Sequence, residues 1–398
     1  MQNVQTLKGF RDFLPIQARK RAYVLETLKK VFESYGFEPL ETPALEYEEI
    51  LTGKYGDEGD KLIYKFEDNG KRKVAMRYDQ TVPLARVVAQ YQNELPIPFK
   101  RYQIQNVWRA ENTQKGRFRE FLQVDADIVG SYSPLADAEV ISLALNSMKV
   151  LGFKKSQIWI NDRSVIDRLF RDKKLSSVLD KLEKIGRENV ISELQKSGVD
   201  NATEMLSELE KSERTEKLQE IFNVLEKEGY KENEDFKFVP NLARGLDYYT
   251  GIIFEIKIPD SAYLLSVAGG GRYDNLIGMF ANKDIPAVGF SFGFDRLIEA
   301  MEELDLFPKE LNTNALFVAF SSSELQEKAM KVAQDLRNKG VNAEFYLDDA
   351  TLEKQLKYAD KKRIAYVLIV EKDKFNLKNM STGNQEEVKI EEIGKILT

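Results

Sequence analysis

An α+β fold is what the sequence predicts: an antiparallel-sheet core interrupted by a helical module and followed by a small α/β domain. Three observations predict it. Short alternating and apolar segments fill residues 1 to about 155 and return after 233, a charge-rich helical stretch separates the two sets, and beyond residue 314 strands and helices alternate.

The first region opens with a helical pattern over Ala18 to Tyr35, followed by short strands and turns. Its clearest unit is a hairpin. RYQIQNVWR puts Arg101, Gln103, Gln105 and Arg109 on one strand face and Tyr102, Ile104 and Trp108 on the other, because successive side chains of a strand alternate. FLQVDADIVG likewise sets Gln123, Asp125 and Asp127 against Leu122, Val124, Ala126 and Ile128. The polar, glycine-containing stretch RAENTQKGRFREF joins them into an antiparallel pair with one polar face. Several polar groups converging on one face is what a small-molecule site requires. An ordinary exposed hairpin face is the alternative.

Residues from roughly 163 to 233 (SVIDRLF, LSSVLDKLEKI, ENVISELQKSG, KLQEIFNVLEKEG) read as an inserted helical module. Strand-like segments then return in FVPNLARGLDYYTGIIFEIKI, YLLSVAGGGRYDNLIGMF and PAVGFSFGFDRLIEAM. The sheet is therefore completed after the insertion, and the first domain, residues 1–310, is discontinuous. Leu306 to Asn314 reads as a linker. Over 314–398, strand ALFVAF, helix ELQEKAMKVAQDLRNKG, strand VNAEFYL, helix TLEKQLKYADKKR and strand IAYVLIV predict an α/β domain with a mainly parallel sheet.

Composition narrows the chemistry. The 398 residues suit two or three domains, and no apolar run approaches the ~20 residues that cross a bilayer, so the chain reads as soluble and off the membrane. No apolar stretch like that of a signal peptide opens it. Zero cysteines exclude disulfides, thiolate catalysis and cysteine-bound zinc, which makes the cytoplasm the simplest compartment. Zero histidines remove the commonest general base and metal ligand, leaving carboxylates, arginines, tyrosines, amides and backbone. A net charge of −6 argues against wholesale coating of nucleic acid while permitting local basic patches.

FKRYQIQNVWRAENTQKGRFREFLQVDADIVG resembles motif 2 of class II aminoacyl-tRNA synthetases in the form found in histidyl-tRNA synthetases. LARGLDYYTGIIFE and AGGGRYDNLIGMF are similar to the two histidine-specific signatures of that family, and AVGFSFGFDRL to class II motif 3. With GFRDFLP near the start, MRYDQTVPLAR in the middle and the C-terminal domain, the resemblance spans essentially the whole chain in the family's order. It implies a class II synthetase core with an inserted helical module, a C-terminal anticodon-binding domain, and ligation of histidine to its tRNA through a histidyl-adenylate. GFEPLETPALE, with Pro43, matches motif 1, which implies a homodimer.

The resemblance also assigns residues. Arg109 and Arg244 match positions that hold the α-phosphate and carboxylate region and so carry catalysis, arginine suiting the task through its planar fork and permanent charge. Arg296 matches the grip on the γ-phosphate, and Glu111 and Arg117 the contacts to the adenine nucleotide. Asp79, Thr81 and Gln123 match the binders of the α-amino end; Asp127, Tyr249 and Tyr273, with Tyr248 beside them, match those facing the imidazole. Bland readings stand beside these. Arg109 could be a hairpin ion pair to Glu111 or Glu120, Arg296 a partner of Asp295 or Glu299, and the tyrosines core residues with bonded hydroxyls. Bound ATP brings Mg²⁺, while no cluster of hard oxygen ligands marks a protein metal site.

AGGGRYD lacks the ending of a P-loop and the spacing of a dinucleotide fingerprint, so Gly269 to Gly271 are read as permitting close backbone approach to substrate or to a neighbouring strand. On the tRNA side, Gln114, Lys115 and Arg119 of the hairpin loop are expected where the acceptor end arrives. Lys354, Lys357 and Lys361 form one helical stripe, either a solvated face or an anticodon-arm contact. Leu122 stands where an aromatic or imidazole residue is usual, and Asn112 and Thr113 where many bacterial members have Arg-Pro, near the expected reading of the tRNA's extra 5′ guanosine. Other readings are a regulatory paralogue serving histidine biosynthesis, a tRNA-sensing domain, and a related synthetase for another amino acid. Retention of Arg109, Arg244 and Arg296, of the last domain, and of RGLDYY and GGGRYD favours the histidine enzyme.

Overall fold

The computed structural model describes residues 4–396 apart from 114–115, 171–174, 176–177, 246–247, 260–265, 282, 309–310 and 312–315. It forms two compact units, residues 1–13 with 21–306, and residues 14–20 with 307–398. In chain order the strands of the first are β1 (Glu38–Pro39), β2 (Leu45–Tyr47), β3 (Lys65–Glu67), β4 (Lys73–Met76), β5 (Phe99–Trp108) and β6 (Glu120–Val129). After them come β7 (Gln157–Asp162), β8 (Phe236–Phe238), β9 (Ile252–Lys257), β10 (Ala268–Arg272) and β11 (Ala287–Gly293).

Eight of these make one sheet in the order β1-β5-β6-β11-β10-β9-β7-β8, antiparallel except at the two edges, where β1 runs parallel to β5 and β8 parallel to β7. The hairpin β5–β6 pairs Arg101 with Asp127, Gln103 with Asp125 and Gln105 with Gln123, so the expected polar face exists. β11 extends it, setting Gly289, Ser291 and Gly293 beside those three β6 residues. On the reverse face Val124, Ala126, Ile128, Phe290 and Phe292 are buried. Phe32 of helix Pro15–Ser34 meets Tyr102 and Phe290 there, and helix Pro134–Val150 contributes buried Ile141, Ala144 and Met148. Ser133 starts that helix by accepting the Leu135 amide at 3.2 Å ahead of Pro134.

The insertion holds helices Arg163–Asp167, Leu182–Ile185, Arg187–Lys196, Ala202–Glu210 and Glu216–Lys227. It is built into the core rather than appended to it. Val190, Leu194, Leu206 and Leu209 share one apolar cluster with Val82, Tyr249 and Tyr273. The last helix buries Leu218, Ile221, Phe222 and Leu225, with Phe222 edge-on to Phe236 of β8 at 4.9 Å.

One expectation is corrected. FVPNLARGLDYYTGIIFEIKI is strand only at its ends, because β8 and β9 lie on opposite sides of β7 and the chain must cross the sheet between them. Asn161 of β7 holds this crossover by donating from Nδ2 to the carbonyls of Pro240 (2.8 Å) and Leu242 (2.9 Å).

In the second unit β12 (Leu316–Phe320), β13 (Ala343–Phe345) and β14 (Tyr366–Val370) are parallel, as expected, and an antiparallel hairpin of β15 (Phe375–Asn379) and β16 (Gln385–Val388) completes the sheet. The apolar run of β12 is buried on both faces. Leu316, Val318 and Phe320 pack with Ala329, Val332 and Leu336 of helix Gln326–Asn338; Phe317 and Ala319 pack with Ala359 of helix Leu352–Lys361. Among the described residues no helix is long and apolar enough to cross a membrane.

Candidate active site

The polar face of the main sheet floors a cavity of about 1540 Å³, bounded by the crossover loop, the hairpin loop and the insertion. Arg109, Glu111, Arg117, Arg244 and Arg296 line it, as do Asp79, Thr81, Gln123, Asp127, Tyr248, Tyr249 and Tyr273. Residues spread over more than 200 positions of the chain thus face one volume, larger than most single-ligand pockets.

Cations dominate one part of it. Arg109 leaves β5 with Nε donating to the Tyr78 carbonyl at 3.0 Å and its guanidinium 4.4 Å from the Tyr78 ring centre and 5.1 Å from that of Phe121. The hairpin carboxylates are engaged elsewhere, Glu111 with Arg117 at 3.7 Å and Glu120 with Asn106 at 3.1 Å. Arg244 comes from the crossover loop and pairs with Glu255 of β9, whose other oxygen lies 3.0 Å from Lys257. Burial pulls the Arg244 guanidinium down, but Glu255 more than offsets it and the group stays firmly protonated. Glu255 itself is held below its ordinary range: burial opposes its charge, and Arg244 with Lys257 outweighs burial.

Arg296 stands in the first turn of helix Phe294–Glu303 and donates to the Ser266 carbonyl at 3.0 Å. It is not tied to Asp295. That carboxylate is taken by Arg11 (2.7 Å) and Arg21 (2.6 Å), so the N-terminal GFRDF segment anchors the helix. Burial, then the nearby Arg117, lowers the Arg296 pKa, as expected where several cations share a space fit for polyanions.

The other part is carboxylate and phenol. Asp79 Oδ1 accepts from the Tyr55 hydroxyl (2.8 Å) and the Val82 amide (3.1 Å) at the start of helix Thr81–Gln90. Burial raises its pKa, opposed by those bonds. Asp127 pairs with the fully buried Arg101 at 2.8 Å and accepts a short bond from the Tyr273 hydroxyl. Tyr248 lies tilted against Tyr249 (4.9 Å between ring centres) and edge-on to Tyr273 (5.9 Å). Burial lifts all three phenols above their usual range, so they remain protonated donors.

Glycines make room for these side chains. A Cβ on Gly269 would lie 2.6 Å from the Arg244 guanidinium, one on Gly271 2.8 Å from the Tyr249 ring, and one on Gly289 1.9 Å from Asp127 Oδ1. The close approach read from AGGGRYD is therefore to the Arg244 side chain of the cavity at Gly269, to the backbone of the neighbouring strand β11 at Gly270, and to both the Ile252 carbonyl of β9 and the Tyr249 ring at Gly271. Asp125, Glu255, Lys257, Phe121 and Ser291 also line the cavity and were missed. Glu255 and Lys257 carried a signal, as two alternate charges in the otherwise apolar strand IIFEIK, and Asp125 shares the face of Gln123 and Asp127.

The residues expected to meet tRNA lie differently. Gln114 and Lys115 are outside the described residues. Arg119 donates from Nε to the Glu111 carbonyl at 3.1 Å, its stem packed where Gly9 has no Cβ. In the second unit Lys354, Lys357 and Lys361 occupy helix Leu352–Lys361, and Lys357 pairs with Glu353 at 2.7 Å, both exposed.

A family model described as histidyl-tRNA synthetase matches residues 9–297, and one described as an anticodon binding domain matches 314–398. The chain is 39% identical to a histidine–tRNA ligase of Cytophaga hutchinsonii over 99% of both, and 40% identical to one of Christiangramia forsetii over 95% of both. Among solved structures, a histidyl-tRNA synthetase from Nostoc sp. PCC 7120 gives a TM-score of 0.85 at 31% identity, covering 100% of this chain and 99% of that one. A Bacillus halodurans structure described as an ATP phosphoribosyltransferase regulatory subunit/histidyl-tRNA synthetase shares the fold, with a TM-score of 0.67 at 23% identity over 86% of this chain and 92% of that one.

Proposed function

The chain belongs to the histidyl-tRNA synthetase family, and on that premise we propose how its residues divide the work. Its activity is ATP-dependent ligation of histidine to tRNA through a histidyl-adenylate, on a class II core with a C-terminal anticodon-binding domain. In the proposed division the catalytic domain spans 1–310, with its insertion at about 163–233, and the anticodon-binding domain spans 314–398. The observation that carries the site assignment is that Arg109, Arg117, Arg244 and Arg296 share one cavity with Asp79, Asp127 and the phenols of Tyr248, Tyr249 and Tyr273.

In the first step a carboxylate oxygen of histidine attacks the α-phosphorus of ATP, forming the O–P bond as pyrophosphate leaves. Arg109 and Arg244 bridge the two anions and meet the charge that grows on the phosphate. Arg244 is aimed by Glu255, which in turn is held by Lys257. Arg296 holds the γ-phosphate; Glu111 and Arg117 take the adenine nucleotide. Asp79, Thr81 and Gln123 receive the α-ammonium. Tyr248, Tyr249, Tyr273 and Asp127 surround the imidazole, a set of polar partners that an apolar isostere would leave unpaired, costing it roughly 10⁴-fold. In the second step a tRNA ribose hydroxyl attacks the acyl carbon, a phosphate oxygen of the adenylate takes its proton, and the bond from the acyl carbon to the phosphate oxygen breaks as AMP leaves, so the chain's lack of histidine withholds nothing.

Mg²⁺ would arrive with the nucleotide's phosphates. Glu255 is already engaged by two cations, and among the described residues no three acidic side chains gather into a cation site, so no step is assigned to protein-bound metal. We further place the protein in the cytoplasm as a homodimer, with Gln114, Lys115 and Arg119 toward the acceptor end of tRNA and Lys354, Lys357 and Lys361 toward the anticodon arm. The test is ATP–pyrophosphate exchange with each amino acid in turn. Exchange with histidine alone is expected; exchange with none would turn the reading to a binding or regulatory role.

A further inference from the structure

Between Gln123 and Asp127 on the cavity floor stands Asp125, a buried carboxylate to which the assignments above give no role. The cross-strand grid places it opposite Gln103 on β5 and Ser291 on β11. The nearest buried cation, Arg101, is paired with Asp127. Besides the Ser291 hydroxyl, Asp125 engages Gln123, whose side-chain nitrogen Nε2 donates to Asp125 Oδ2 at 2.9 Å. The other half of that amide, Gln123 Oε1, is buried and accepts no hydrogen bond. A buried carbonyl oxygen without a donor costs about 1–3 kcal/mol, so its persistence on the floor of a cavity marks a place where a ligand's donor belongs.

The orientation has a cause. An amide can present either its oxygen or its nitrogen to a neighbour, whereas an ionised carboxylate can only accept. Beside Asp125 the amide turns its nitrogen toward the carboxylate, which leaves the oxygen as the end without a partner. Burial, reinforced by Asp127 and opposed by Arg101, pushes the Asp125 carboxyl up to about 7, and in either form Oδ2 can accept from Gln123. We propose that Asp125 is a positioning residue: by accepting from the Gln123 amide nitrogen, it fixes the Gln123 carbonyl oxygen as an acceptor for the substrate's α-ammonium group. This rests on the reading that Gln123 binds the amino end of histidine.

The test compares wild type, Asp125→Ala, Asp125→Asn and Gln123→Ala in pyrophosphate exchange. It adds inhibition by 3-(imidazol-4-yl)propionate, which is histidine without its amino group. Asp125→Ala frees the amide to rotate, so KM for histidine should rise roughly tenfold while KM for ATP holds within about twofold. Asp125→Asn keeps a carbonyl that accepts from Gln123 and should stay within about threefold of wild type. The inhibitor, having no ammonium, should bind wild type and Asp125→Ala alike. Equal weakening of histidine and inhibitor would overturn the proposal, since Asp125 would then serve the ring or the pocket as a whole. An unchanged KM for histidine in Asp125→Ala would also overturn it. Should Gln123→Ala leave that KM unchanged, the assignment of Gln123 itself fails; a rise there without one in Asp125→Ala sinks the positioning role alone. If Asp125→Ala does not fold, Asp125→Ser, too short to reach the amide, takes its place with the same expectations.

Discussion

Gly269→Ala would damage catalysis without altering any residue that touches substrate. The added methyl would sit 2.6, 2.7 and 2.9 Å from Nη1, Cζ and Nη2 of Arg244. Comfortable contacts need about 3.5 Å, so the guanidinium must retreat by roughly 1 Å. It can do so, being the end of a flexible side chain, and the cost in stability should be under about 1 kcal/mol. In the proposed division Arg244 aligns two anions, and a 1 Å error in such a group is expensive for rate: kcat for histidine activation should fall by roughly 10²-fold. Gly270→Ala makes the internal control. Its methyl would meet the backbone of β11, at 2.2 Å from the Gly289 carbonyl and 2.7 Å from Phe290 Cα, and backbone cannot swing aside without opening the sheet. That variant should lose about 2–3 kcal/mol of stability. Pyrophosphate exchange and thermal unfolding on both variants decide the matter. Similar losses of stability in the two, or a Gly269→Ala enzyme within about threefold of wild-type kcat, would refute the geometry.

Three further outcomes are expected. Asp125 is pushed from its ordinary 3.8 to about 7 in the folded state, so the unfolded chain sheds that proton first and stability declines as pH rises from about 4 to about 7. Asp125→Asn should lack that decline in chemical denaturation without histidine at pH 4 and pH 8; parallel curves for the two proteins would contradict this. Arg101→Met strands two buried carboxylates and should cost roughly 3–5 kcal/mol, with part recovered on adding Asp127→Asn; no recovery in the double variant would mean that the pair is not the cause. Replacing Lys354, Lys357 and Lys361 by Ala should leave pyrophosphate exchange intact, raise KM for tRNA several-fold and shallow its salt dependence; equal aminoacylation kinetics would make that stripe a solvated face.

Where charge stood in a simple periodic context, the site was readable. Arg101, Gln103 and Gln105 against Gln123, Asp125 and Asp127 needed only the alternation of a strand, and the register realised it residue for residue. The same rule could not say which members face substrate. Gln103 is buried, its Nε2 donating to Thr42 Oγ1 at 2.8 Å and Gln105 Oε1 at 2.6 Å, and only the β6 residues of the two strand faces floor the cavity. Arg296 shows a similar limit. Its helical position was legible, whereas its freedom from Asp295 depended on Arg11 and Arg21, more than 270 residues away.

By itself the sequence determined most elements and their order, the discontinuity of the first domain's sheet and the family, because periodicity, turn residues and motifs are local and survive in one dimension; the crossover between β8 and β9 and the β15–β16 hairpin came only with the tertiary structure. Only the tertiary structure decided the pairings: Glu255 with Arg244 and Lys257, Asp127 with Arg101 and Tyr273, and Gln123 with Asp125. It also decided that Gly269 and Gly289 clear space for the side chains of Arg244 and Asp127, and that the insertion shares its core with the wall of the site. The reason is physical. Whether a buried charge is a ligand, a brace or a partner depends on which opposite groups and how much water surround it, and sheet pairing brings those neighbours from distant parts of the chain.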